Sequence, residues 1–122
     1  MNILIVIFSL LVALEFFYIM FLETFATLSN ATSQVFNMSE ADLNNKNVQL
    51  LFKNQGIYNG LIGLIILYAN LYASNPKELL SIIMIYIILV GVYGSYSSGN
   101  KLIVIKQSGL AIITLFLIVF FR

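Results

Sequence analysis

The stretch Ile3–Leu28, ILIVIFSLLVALEFFYIMFLETFATL, decides how this chain is read. Apart from Glu15, Glu23 and a few small hydroxyl residues it is apolar. Its length exceeds the roughly 20 residues that a helix needs to cross a bilayer core. Two carboxyls inside such a run are expensive, at least roughly 2.5–3.5 kcal/mol each for an ionised group near mid-bilayer. They are expected to face a polar interior with partners rather than lipid. The run has no basic leader and no small-x-small site before Glu15, since Val12-Ala13-Leu14 ends on leucine. It therefore reads as a retained membrane helix, not a cleaved signal.

Three further apolar runs follow, at about 48–72, 79–97 and 102–121. All are continuous rather than alternating, which excludes barrel strands. The expectation is an all-α membrane protein, one integral membrane domain over residues 1–122, folded as an antiparallel bundle of four transmembrane helices. The helices are placed at about 3–28, 48–72, 79–97 and 102–121. Composition agrees: 61% of the 122 residues are hydrophobic and 9% are charged, against about a quarter charged in soluble domains. Mean hydropathy is +0.99.

Composition also excludes chemistry. Cysteine and histidine are both absent, which removes disulfides, thiol catalysis, imidazole metal ligands and the Ser-His-Asp triad. No cofactor and no metal are expected, and an enzymatic role has little to stand on. A net charge of +1 gives no electrostatic basis for nucleic-acid binding. The lipid bilayer is the expected partner.

The only sizeable polar connection is 29–47. In it Ser39 reads as an N-cap with Glu40 and Asp42 in the first turn, so that the second membrane helix is expected to begin near Glu40. In the second connection Asn75, Pro76 and Glu78 read as N-cap, first helical residue and box-like partner. Ser97-Ser98-Gly99-Asn100 is a tight turn. Lys46, Lys53, Lys101 and Lys106 fall on one side of the membrane, Lys77 and Arg122 on the other. By the positive-inside rule the first and third connections face the cytoplasm and both termini lie outside.

Depth along the helices, at 1.5 Å per residue, places Glu23, Asn54, Gln55, Lys106 and Gln107 in one layer, with Glu15 and Asn59 nearer the middle. Gln55 and Asn59 are four apart and share a helix face. Tyr58 and Tyr93 can turn hydroxyls inward. These nine residues form a candidate pocket. Two packing-only readings stand beside it: Glu23 paired with Lys106, and a neutral Glu15 hydrogen-bonded to Asn59, with the amides as interhelical glue. Gly56, Gly60 and Gly63, and the series Gly91, Ser95 and Gly99, are small-residue stripes that allow close helix approach. Their expected use is packing the second helix on the third, the alternative being a homodimer face.

Several stretches taken together resemble a known family. They are Leu11-Val12-Ala13-Leu14-Glu15 with Tyr18, Phe21-Leu22-Glu23-Thr24-Phe25, Val35-Phe36-Asn37-Met38, Lys53-Asn54-Gln55-Gly56-Ile57-Tyr58-Asn59-Gly60, Gly91-Val92-Tyr93-Gly94 and Ile105-Lys106-Gln107-Ser108. The pattern is similar to the domain of unknown function 1304 family of small bacterial and fungal membrane proteins, over nearly the whole chain. Asn-Gln-Gly-x-Tyr-Asn-Gly at 54–60 is its most specific part. The resemblance implies four transmembrane helices and no established activity. The first connection is less basic here than the family's, which bears on orientation. The function expected is a small-molecule binding or transport module built on Glu15, Glu23 and Asn59. The alternative is an accessory subunit whose polar groups only fix helix packing.

Overall fold

The computed structural model describes residues 1–121; Arg122, counted above for orientation, lies outside the described residues. The described residues form helices and connections with no strand. Four helices are long and apolar enough to cross a membrane: Ile3–Phe25, Lys46–Leu71, Pro76–Ser98 and Ile103–Phe120.

The first of these is not uniform. Helix α1 (Ile3–Met20) opens on Asn2, whose Oδ1 accepts from the Leu4 amide at 2.8 Å. It then widens into a π-helical segment, Phe21–Phe25, closed by an Ala26 N–H bond to Phe21 O at 2.9 Å. The apolar run continues to Leu28, but the helix stops sooner because side chains take over its last carbonyls. Thr27 donates to Glu23 O at 2.6 Å, and the Thr32 hydroxyl lies 2.6 Å from Ala26 O and 3.1 Å from Leu22 O. Such hydroxyls satisfy groups that a helix end leaves without partners.

The first connection holds two short helices, α2 (Asn30–Phe36) and α3 (Glu40–Leu43). Ser29 caps α2 through the Thr32 amide, and Asn37 ends it in the left-handed region at φ 51. Ser39 caps α3 through the Asp42 amide at 3.0 Å. Ser39 is thus the N-cap that the sequence predicts, but the helix it starts does not continue into the long helix that follows. α4 (Lys46–Leu71) begins separately, after Asn44 and Asn45. The Asn45 side chain accepts from the Asn47 amide at 2.9 Å, the kind of local bond by which asparagine competes with a continuing helix.

α5 (Pro76–Ser98) starts on the expected proline. Asn75 does not cap it through the backbone; its Nδ2 instead donates to Glu78 Oε2 at 2.8 Å. Gly99, at φ 73, ends α5 with nothing within 4 Å of where a Cβ would stand. It is a C-terminal left-handed residue rather than a packing position. The first turn of α6 (Ile103–Phe120) is tied to α5: Ser95 Oγ accepts from the Val104 N–H at 2.8 Å. At the other end Lys77 Nζ donates to Phe121 O at 2.6 Å, a cation on the carbonyl end of a helix.

Contacts divide the chain into two compact units, Leu14–Leu64 and Met1–Ala13 with Ile65–Arg122. In the second, α5 and α6 pack as a hairpin around buried Leu80, Met84, Ile87, Ala111, Thr114 and Ile118. Ser108 sits where a Cβ on Gly91 would be, donating to Ile87 O at 3.1 Å. Asn70 Nδ2 donates to the buried Ser9 hydroxyl at 3.1 Å. In the first unit the glycines of α4 face the first membrane helix. A Cβ on Gly56 would overlap Thr24 Oγ1, one on Gly60 would overlap Met20 Sδ, and one on Gly63 would lie 2.8 Å from the Phe17 ring. This stripe thus packs α4 on the first long helix, Ile3–Phe25, not on α5 as the sequence suggests. Phe36 of α2 meets Phe52 of α4 edge-on, with centroids 5.1 Å apart.

Candidate functional site

The polar site lies within the unit Leu14–Leu64. Glu23 is in the π-helical segment and is 0% exposed. Gln55 Nε2 donates to its Oε2 and Asn59 Nδ2 to its Oε1, both at 2.6 Å. The four-residue spacing of Gln55 and Asn59 sets both amides on one side of α4, one per carboxyl oxygen. Next to them Thr24 Oγ1 donates to Lys53 O at 3.0 Å, a second tie between the same two helices. Gly56 and Gly60 allow the backbones to approach closely enough for all three bonds.

Two expectations are corrected here. Asn59 donates to Glu23, not to Glu15, because Glu23 is the residue aligned with it across the glycine stripe. The partners of Glu23 are neutral carboxamides rather than the Lys106 ammonium, and Lys106 is exposed. Among the described residues, Glu15 is half-buried and makes no side-chain hydrogen bond. Asn54 and Tyr58 are exposed on α4. Tyr93, Lys106 and Gln107 belong to the α5–α6 unit, where Tyr93 is exposed with its ring 6.3 Å from Tyr96, and Gln107 lies beside Gly94.

The donors of Gln55 and Asn59 are turned to the carboxyl, so their carbonyl oxygens are left free. Among the described residues neither Gln55 Oε1 nor Asn59 Oδ1 accepts a hydrogen bond. Glu23 itself has further lone pairs beyond the two in use. No group of three or more acidic, histidine or cysteine side chains suited to a metal ion occurs among the described residues.

Sequence reasoning missed two residues of this unit. Thr24 was hidden by its place beside the more conspicuous Glu23. Thr32, buried under the helix end, had no signal in a loop rich in Ser and Asn. In the other unit, the Ser9–Asn70 pair is signalled only by two isolated polar residues in apolar runs.

The chain is 60% identical to the uncharacterized protein YpaA of Lactococcus lactis subsp. lactis (strain IL1403) over 115 residues, which is 94% of this chain and 96% of that protein. No solved structure matches it. Residues 10–119 match the family model described as protein of unknown function, DUF1304. That match takes in the whole polar cluster, and the chain belongs to the DUF1304 family.

Proposed function

We propose that the chain is a four-span integral membrane protein, its helices bundled antiparallel, that binds a small donor-rich or cationic solute at the Glu23–Gln55–Asn59 cluster. One observation carries the reading: a fully buried carboxyl is held by two neutral amides whose own oxygens stay free. An ionised carboxyl inside the membrane costs at least roughly 2.5–3.5 kcal/mol. Interhelical side-chain hydrogen bonds return about 0.6 kcal/mol each on average. Packing alone is served more cheaply by apolar residues, so the deficit points to a use beyond packing. Movement of the solute across the bilayer would then proceed with proton exchange on Glu23 or on Glu15.

A thermal melt of the purified protein in detergent tests this, run against ammonium, methylammonium, polyamines and small polyols. One of these is expected to raise the melting temperature of the wild type and not of Glu23→Gln, which keeps the shape but loses the charge. No shift with any of them, in either protein, sinks the binding reading.

A second reading is favoured by the complete burial of Glu23 and its two satisfied oxygens: an accessory subunit in which the cluster fixes the register of two helices. Both readings share one topology, with the first and third connections cytoplasmic. Of single cysteines at exposed Gln34 and Ser74, only Ser74→Cys should react with an impermeant maleimide added to intact cells. Labelling of Gln34→Cys alone would invert the topology.

A further inference from the structure

The turn that carries Glu23 has two possible windings, and one hydroxyl stands between them. In an α-helix the Ala26 N–H would bond Leu22 O. Here it bonds Phe21 O at 2.9 Å, which makes Phe21–Phe25 a π turn. Leu22 O thereby loses the amide that an α winding would give it, and a backbone carbonyl left bare inside a membrane span is costly. Thr32 supplies the missing donor: its Oγ1 lies 3.1 Å from Leu22 O and 2.6 Å from Ala26 O. With that hydroxyl in place the π winding leaves Leu22 O satisfied. Without it, the α winding is the one that satisfies Leu22 O.

Thr32 is held in this position from both sides. Its amide donates to Ser29 Oγ at 3.2 Å, and its hydroxyl is 3.0 Å from the same oxygen. The helix it belongs to, α2, reaches α4 at its other end through Phe36 on Phe52. On the far side of the turn, Met20 sits on Gly60 and Phe17 on Gly63. With both flanks fixed, a change of winding falls on Leu22–Ala26 itself. The π and α turns differ by one residue, which is about 100° of rotation across the turn. Glu23 lies inside it. The Glu23 oxygens meet Gln55 Nε2 and Asn59 Nδ2, one each, both at 2.6 Å. Two amides four residues apart on one helix accept one placement of the carboxyl. The carboxyl therefore keeps both partners in one winding and not in the other. All of these groups belong to the unit Leu14–Leu64.

We propose that Thr32 is the positioning residue of the Glu23 site: its hydroxyl on Leu22 O holds the π winding that sets the Glu23 carboxyl between Gln55 and Asn59. Its weight for function rests on the solute-binding reading. The placement of the carboxyl does not, and it is measured without solute, so the two fail separately.

Dicyclohexylcarbodiimide enters membranes and modifies the carboxyls it can reach, and mass spectrometry reads the extent at each one. Glu23, with both oxygens bonded, should react slowly, and half-buried Glu15 is the reference in the same molecule. Thr32→Val keeps the shape and loses the hydroxyl. It should raise the ratio of Glu23 to Glu15 labelling about fivefold, the scale of one hydrogen bond's net contribution. Thr32→Ser returns the hydroxyl and should return the ratio to that of the wild type. Ser33→Ala removes a bond of the same kind from the same connection, Ser33 Oγ to Met38 O at 2.6 Å, and should leave the ratio unchanged. Ser29→Ala takes away only the hydroxyl beside Thr32. It should raise the ratio by less, and it stands in for Thr32→Val if melting in detergent shows that variant unfolded. The proposal is overturned by an unchanged ratio in folded Thr32→Val or, in its place, in Ser29→Ala. It is equally overturned if Thr32→Ser labels like Thr32→Val, or if Ser33→Ala raises the ratio as much, since the hydroxyl would then act only by ordering the connection.

Discussion

Glu23→Leu is expected to destabilise the protein by about 2–3 kcal/mol, the cost of leaving buried polar groups without their partner. The leucine removes both acceptors of the Gln55 and Asn59 amides at once. Gln55 is exposed and can turn outward, but Asn59 is half-buried between helices. Glu23→Gln should cost less, because one of the two facing amides can turn over and accept from the new NH2 group. The triple variant Glu23→Leu, Gln55→Leu, Asn59→Leu removes donors and acceptors together. It should recover most of the loss, as replacing a whole buried polar group by apolar residues often does. Thermal and denaturant melts of the four proteins in one detergent give the comparison. The triple variant also separates the two functional readings: if it is stable and the solute-induced shift is gone, the cluster serves binding. If it is as unstable as Glu23→Leu, the bonds are not what holds these helices, and the cost assigned to the unpaired amides is wrong.

Why some of this was legible in the sequence and some not is a matter of what each residue signals alone. Apolar runs of about 20 residues are unambiguous, and the four long helices lie within a few residues of where hydropathy puts them. Glu23 and Asn59 stand out because a polar residue in such a run is costly wherever it points. Their pairing was not legible. Depth alone set Asn59 beside Glu15 and Glu23 beside Lys106, and the pairing of Asn59 with Glu23 comes from the packing of Gly56 and Gly60 on Thr24 and Met20. A GxxxG stripe says that a helix comes close without saying which one. The π-helical turn at Phe21–Phe25 was also silent, since its cause is the set of side chains that take its carbonyls, among them Thr32 from ten residues beyond Leu22. Propensity reads neighbours along the chain, and these contacts are made across it.

The glycines of α4 and α6 are expected to respond to the same substitution with opposite signs. In Gly56→Ala the new methyl would occupy the space of Thr24 Oγ1 and press on the Glu23 Cβ at 3.1 Å. Threonine is stiff at χ1, and its hydroxyl is bonded to Lys53 O, so relief requires the helices to part. Overpacking of this kind costs about 1–3 kcal/mol. It should also lengthen the Gln55 and Asn59 bonds to Glu23, since all three ties depend on the same close approach. Gly60→Ala meets the sulfur of Met20, the adaptable end of an unbranched side chain, and should cost less than Gly56→Ala. Gly109, inside α6, has nothing within 4 Å of where its Cβ would stand. Alanine there removes only the entropy penalty of a helical glycine and should stabilise by up to about 1 kcal/mol. Melting of the three single variants in the same detergent orders them Gly56→Ala, Gly60→Ala, wild type, Gly109→Ala from least to most stable. Equal melting of Gly56→Ala and wild type would mean that α4 and the first helix do not approach at this stripe, and the carboxyl–amide cluster would lose the contact that positions it.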